Sequence, residues 1–190
     1  MFRDDLVRWA RTTKTNVLHL AKATGSLEGW LRGEAVIAIQ KGKFGAFEDV
    51  TAEGGGKRLD LTVTQGGLVK VVEFKVVFNN KNLVGGYNGT GGVAQDIAKL
   101  SQLSFDEKYV AVFFLFYSKW RCPYLPKSYL QTSGGVQLQP KEDEDLGDFS
   151  KQLSRAVVAR LGNLVPAAEE VVEVASNNER WLGFWCHRVP

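Results

Sequence analysis

The feature that most constrains the fold is a pair of adjacent glycines, Gly66 and Gly67, between two runs of β-prone residues. Two consecutive glycines accept the positive φ angles of the tight two-residue turns that join the strands of a hairpin. The sequence therefore predicts a β-hairpin over residues 57–78, with these glycines as its loop.

The register of this hairpin decides which polar side chains meet. A two-residue loop pairs Gln65 with Leu68, and continuing that register places Asp60 directly opposite Glu73 on the same face of the sheet. Lys75 lies two residues further along the strand and points to that face too, because side chains alternate along a strand. A three-residue loop would instead turn Asp60 to the opposite face unless a bulge restored it.

The second strand of the hairpin is apolar on both of its faces, apart from Lys70 near its start and the charged pair Glu73 and Lys75 at its centre. A strand of this kind is typical of the covered middle of a sheet. Charges at such a position are costly unless they are paired or belong to a metal or substrate site. Asp60, Glu73 and Lys75 are therefore the candidate site.

Helical and strand patterns continue on both sides of the hairpin, and we interpret the 190 residues as one α/β domain. Helices are predicted over residues 2–23, 27–41, 93–103 and 146–161; further strands are predicted over 44–51, 109–117, 170–175 and 180–188. The apolar strand 109–117 follows a helix, which favours parallel pairing with the hairpin through a helical crossover. Three aromatic residues of the last hairpin, Trp181, Phe184 and Trp185, are expected in the core or against a partner rather than stacked on nucleic-acid bases.

Composition narrows the functional classes. The net charge of +3 permits a polyanionic partner without requiring one, and two cysteines with two histidines argue against a structural zinc site. We expect a cytoplasmic protein that does not insert into membranes, because no signal peptide or long apolar run is apparent.

The glycine-rich segment 85–92 lacks the ending of a phosphate-binding P-loop. It is interpreted as either a mobile flap bordering a site or a plain linker.

The three candidate residues suit metal-assisted phosphate chemistry. Two carboxylates on adjacent strands can hold Mg²⁺ or Mn²⁺, which prefer oxygen ligands and keep several waters. Such an ion polarises a phosphate oxygen and lowers the pKa of its bound water. A lysine beside it can orient or deprotonate the attacking water, or stabilise negative charge in the transition state.

With these residues in place, the region from 26 to 117 resembles the PD-(D/E)xK nuclease superfamily. The resemblance implies a restriction-endonuclease-like core, in which a mixed central β-sheet is flanked by helices, with the N-terminal helix and the C-terminal helix and hairpin as additions. It implies that Asp60 and Glu73 bind the metal, that Phe74 offers its backbone carbonyl, and that Lys75 assists the nucleophilic water. Leu59 stands where the family often has proline, at a variable position.

Two further positions follow from the resemblance. Glu34 matches a glutamate on the first helix of many members, and Gln95 or Lys99 matches a polar position on the helix after the hairpin. Periodicity alone leaves Glu34 either at a solvated helix edge or turned toward the site. Gln95, Lys99 and Gln102 form one stripe on their helix, which would equally suit a solvent-facing surface.

The leading hypothesis is thus a Mg²⁺-dependent nuclease that hydrolyses phosphodiester bonds, with DNA as the expected substrate. The alternative is a catalytically inactive nuclease-like module that binds nucleic acid or supports assembly. A third hypothesis is a toxin or defence effector with the same site chemistry and a different biological target. The sequence is also compatible with a homodimer.

Overall fold

The computed structural model describes residues 2–20, 27–41, 49–51, 59–79, 83–86, 89–118, 132–141, 143–161, 171–177 and 179–190. Its helices are α1 (Phe2–Leu20), α2 (Leu27–Gln40), α3 (Thr90–Ser101) and α4 (Leu146–Ala159). Its strands are β1 (Asp49–Thr51), β2 (Leu61–Gln65), β3 (Leu68–Phe78), β4 (Glu107–Tyr117), β5 (Thr132–Ser133), β6 (Val136–Gln137), β7 (Val172–Ser176) and β8 (Arg180–Val189).

Six of these strands form one mixed sheet in the order β1-β2-β3-β4-β8-β7, and β5 pairs with β6 separately. Strands β1, β2 and β3 are antiparallel neighbours, whereas β4 runs parallel to β3 and is reached through α3. The predicted parallel pairing is confirmed, and so is the α/β class with a mixed sheet flanked by helices. The C-terminal hairpin joins this sheet, with β8 paired antiparallel to β4.

The hairpin between β2 and β3 has the predicted two-residue loop. Gly66 and Gly67 have φ angles of 59° and 73°, which residues with a side chain rarely adopt. Gln65 pairs with Leu68, and the register continues to Leu61 opposite Val72. The predicted register is therefore confirmed over the whole of β2.

The sheet separates two apolar cores. On one face α1 and α2 cover the even-numbered side chains of β3, and Trp9 packs edge-on against Phe74 with ring centroids 5.7 Å apart. On the other face α3 and α4 cover odd-numbered side chains such as Val71 and Val77. Burying each large apolar side chain contributes roughly 1.5–3 kcal/mol. Because side chains alternate along β3, Glu73 belongs to the face covered by α3 and α4.

Helix α3 begins at Thr90, three residues before the predicted start, because the glycine-rich segment folds into its first turn. The Thr90 N–H donates to the Leu83 carbonyl at 2.9 Å, and the Gly85 N–H donates to Thr90 Oγ1 at 2.7 Å. A Cβ at Gly91 would collide with the Gly85 carbonyl, so this close approach requires glycine. Residues 44–48 of the predicted first strand, and 87–88 of the glycine-rich segment, lie outside the described residues.

The last hairpin is part of the core. Trp181, Phe184 and Trp185 on β8 are all buried in the core, which is one of the two positions expected for them. Among the described residues, no helix combines the length and apolar character needed to cross a membrane.

Candidate functional site

Two oppositely charged pairs join β3 to α3. Glu73 and Lys75 are buried at the centre of β3. Lys99 Nζ contacts Glu73 Oε1 at 2.5 Å, and Asp96 Oδ2 lies 3.2 Å from Lys75 Nζ. Asp96 and Lys99 are three residues apart and so share one face of α3. Helix α3 thus places Asp96 beside the buried Lys75 and Lys99 beside the buried Glu73.

Asp60 lies one residue before β2, at a bend, and its carboxylate reaches the middle of β3. Pairing of β2 with β3 ends at Leu61 and Val72, so the Phe74 N–H lies beyond the paired residues. Asp60 Oδ2 accepts a hydrogen bond from this N–H at 2.8 Å, while Oδ1 lies 3.1 Å from Arg32 Nη1 of α2. The predicted cross-strand pair of Asp60 with Glu73 is therefore not part of the β2–β3 ladder; Asp60 instead contacts β3 through a side-chain hydrogen bond to the Phe74 N–H.

Burial changes the acidity of two carboxyl groups here. The pKa of Glu73 rises from 4.5 to about 7, mainly because the group is withdrawn from water; Asp60 and Asp96 raise it further, and Lys99 opposes them. The pKa of Asp96 is also raised, again chiefly by burial, with Lys75 acting in the opposite direction. The negative charge of Asp60 contributes to the raised pKa of both Glu73 and Asp96, so the three carboxyl groups interact electrostatically.

The donor set suits a hard divalent cation. Mg²⁺ takes one or two carboxylates and keeps several waters, and Asp60 and Glu73 provide carboxylates of this kind. In the part of the chain that the structure describes, no group of three or more histidine, cysteine, aspartate or glutamate side chains is arranged to hold a metal ion. Since Arg32 and Lys99 contact these two carboxylates, a metal ion would have to compete with them.

The other predicted positions differ in their surroundings. Of the two candidates on α3, Lys99 contacts Glu73, whereas Gln95 is exposed. Glu34 is half-buried on α2. The Phe74 side chain is buried in the core, and its N–H rather than its carbonyl is the group that contacts Asp60. Functional roles for Glu34, Gln95 and the Phe74 carbonyl stay predictions.

Arg32 and Asp96 are the site residues that sequence reasoning missed. Asp96 carried a detectable signal: Asp96 and Lys99 on the crossover helix offer the charges complementary to Lys75 and Glu73 on the preceding strand. Arg32 carried none, because its contact with Asp60 depends on how α2 packs on the sheet.

The site thus contains two carboxylates, a buried lysine on the same strand as Glu73, and two further basic side chains that contact the carboxylates. Comparisons with protein-family models, with curated proteins and with solved structures find no match for this chain.

Proposed function

We propose that the protein is a Mg²⁺- or Mn²⁺-dependent nuclease with a restriction-endonuclease-like core, which hydrolyses phosphodiester bonds in DNA. The observation that carries the proposal is the placement of three charged side chains around the middle of β3: Glu73 and Lys75 are buried on that strand, and Asp60 accepts a hydrogen bond from the Phe74 N–H between them. Two carboxylates and a lysine at such a position are costly for folding and have a direct use in phosphate chemistry.

The order of elements supports the same proposal. From α2 to β4 the described elements run helix, three antiparallel strands, helix and parallel strand, with Asp60 just before β2 and with Glu73 and Lys75 in the middle of β3. This order is the one expected from the resemblance to the PD-(D/E)xK nucleases, and β2 pairs with β3 in the predicted register as far as Leu61 and Val72.

Each residue has a distinct task in the proposed reaction. Asp60 and Glu73 would hold the metal, which supplies Lewis-acid polarisation of the phosphate and a water of lowered pKa. Lys75 would donate hydrogen bonds from its ammonium group to the attacking water or to a phosphate oxygen. Asp96, 3.2 Å from that ammonium group, restrains the direction in which it points. The buried surroundings strengthen these electrostatic interactions.

The test is cleavage of plasmid, linear duplex and single-stranded DNA in Mg²⁺ or Mn²⁺. Glu73→Ala and Lys75→Ala are expected to abolish cleavage while circular dichroism confirms that each variant is folded. Lys151→Ala is the matched control, because Lys151 is a surface lysine paired with Glu173 at 3.3 Å. Cleavage that survives in both site variants would remove the proposal.

A second candidate is a catalytically inactive nucleic-acid-binding module. It is favoured by the contacts of Asp60 and Glu73 with Arg32 and Lys99, which neutralise both carboxylates without a metal. This candidate predicts no cleavage and no thermal stabilisation by Mg²⁺, together with DNA binding that weakens steeply with salt.

A further inference from the structure

The two basic side chains that contact the proposed metal ligands differ in how they cover them: Lys99 is far more exposed than Glu73, whereas Arg32 and Asp60 are about equally exposed. The Lys99 side chain is 36% exposed over a Glu73 side chain that is 6% exposed. Arg32 is 23% exposed beside Asp60 at 19%. Lys99 reaches Glu73 from α3 and Arg32 reaches Asp60 from α2, and these helices cover opposite faces of the sheet. A metal ion at each carboxylate would therefore compete with a different one of these two cations.

Lys75 differs from both. Its side chain is only 4% exposed and lies beside Asp96, which is outside the proposed pair of metal ligands. A metal ion arriving at Asp60 and Glu73 would thus compete with Arg32 and Lys99 for oxygen atoms while leaving the contact between Lys75 and Asp96 in place.

We infer that Lys99 and Arg32 exchange with the metal ion: they contact Glu73 and Asp60 in the metal-free protein, and they bind the substrate phosphate once the metal has taken those carboxylates. This inference rests on the proposed function and names the phosphate-binding residues of the same site. Lysine carries its charge on a flexible four-carbon chain, and arginine presents a fork that matches phosphate oxygens. Both groups can therefore turn from a carboxylate to a phosphate beside it.

Charge balance favours this exchange. Among the described residues, the three ion pairs of Arg32 with Asp60, Lys75 with Asp96 and Lys99 with Glu73 contain three basic and three acidic side chains. Adding a divalent cation leaves the site with two excess positive charges, which suits an anionic phosphodiester. The exchange therefore predicts that metal binding and DNA binding strengthen each other, and that Lys99 carries part of this coupling.

The first measurement is Mn²⁺ affinity by isothermal titration calorimetry on the full chain, using wild type, Lys99→Met, Glu73→Gln and the control Lys151→Met. Titrations run from pH 7 to pH 9, and affinities are compared where they no longer change with pH, so that protons do not compete for Glu73. Removing the competing ammonium group is expected to tighten Mn²⁺ binding about tenfold in Lys99→Met. Lys151→Met should match wild type, and Glu73→Gln should bind Mn²⁺ weakly or not at all.

The second measurement separates exchange from a general loss of positive charge. Affinity for a short DNA duplex is measured by fluorescence anisotropy with and without Ca²⁺, which takes oxygen ligands as Mg²⁺ does. Lys99→Met should weaken DNA binding several-fold with Ca²⁺ and change it little without, because Lys99 then contacts Glu73. An equal loss under both conditions overturns the inference.

The outcomes distinguish the two proposals. Mn²⁺ binding that Glu73→Gln abolishes, with equal affinity in wild type and Lys99→Met, overturns the exchange and leaves the metal site intact. Mn²⁺ binding that is absent from every protein, or unaffected by Glu73→Gln, overturns the proposed function and the exchange together.

Discussion

Replacing Glu73 by glutamine should stabilise the protein at alkaline pH and have little effect at acidic pH. Burial raises the pKa of Glu73 from 4.5 to about 7 in the folded chain, so between these values the folded state binds more protons than the unfolded state. Stability from this group is therefore fully present below pH 4.5 and is lost as the pH rises through about 7. Glutamine has nearly the same shape and does not titrate.

The magnitude follows from the two pKa values. One pKa unit corresponds to about 1.4 kcal/mol, so a change from 4.5 to about 7 corresponds to about 3 kcal/mol. The free energies of unfolding of wild type and Glu73→Gln should nearly coincide near pH 4. By pH 8 the variant should exceed wild type by about 3 kcal/mol, because wild type must then hold a buried carboxylate.

The assay is urea unfolding followed by tryptophan fluorescence at intervals from pH 4 to pH 8, with EDTA present so that no divalent ion binds. The relevant quantity is the difference between wild type and variant at each pH, since other titrating groups contribute to both. A difference that does not change with pH would refute the reasoning. The reasoning would also be refuted if the wild type became more stable relative to the variant as the pH rises. That result would mean that the attraction of Lys99 exceeds the desolvation cost of the ionised Glu73.

Glu173→Gln provides a control of opposite sign. Burial alone would raise the pKa of Glu173, but hydrogen bonds from Trp181, Lys151 and Ser176 outweigh it and lower the pKa. Stability from Glu173 is therefore present above pH 4.5 and is lost as the pH falls. The free energy of unfolding of wild type should increase relative to that of Glu173→Gln as the pH rises through the acidic range, which is the reverse of the trend at Glu73.

Three further predictions concern the fold and the metal. Asn79→Ala should lower the free energy of unfolding by about 3 kcal/mol in a urea titration, because the buried amide donates to two backbone carbonyls and accepts from a backbone N–H. The control Asn177→Ala, at an exposed position, should lower it by about 1 kcal/mol or less. Equal losses in the two variants would contradict this account. Gly183→Ala should destabilise the fold by about 2 kcal/mol, seen as a lower melting temperature, because a Cβ would collide with the buried ring of Trp181. The control Gly33→Ala on α2 should not be destabilising, because nothing lies within 4 Å of the added Cβ. Mg²⁺ should raise the melting temperature more at pH 8 than at pH 6, since protons compete with the metal for Glu73, and a rise independent of pH would exclude that ligand.

The hairpin could be predicted from the sequence because its determinants are local. Two glycines with positive φ angles fix the loop, and the side-chain alternation of β2 fixes the register that leads to Asp60. The parallel pairing of β4 followed from the helix before it. Each of these inferences uses residues that are near one another in the chain.

The contacts around the site depend on packing between distant segments and could not be predicted in the same way. Arg32 reaches Asp60 across 28 residues because α2 packs over the sheet beside the end of β2. The place of β8 next to β4 is set by the matching of two apolar strands rather than by any nearby signal. Asp60 lies before the start of β2, where pairing ends and its carboxylate takes the Phe74 N–H; strand alternation alone does not specify such an ending.

The energetic cost of the charges on β3 connects the fold to the proposed function. Glu73 and Lys75 each lie in an ion pair with α3, yet the attraction within a buried ion pair often does not recover the cost of removing its charges from water. Apolar residues at both positions would continue the pattern of β3 and pack against α3 without that cost. If Glu73→Gln proves more stable at pH 8 and also loses metal binding, the carboxylate lowers stability and serves the site. If the variant is less stable at every pH, the ion pairs are structural, and the case for a catalytic role of Glu73 loses its physical basis.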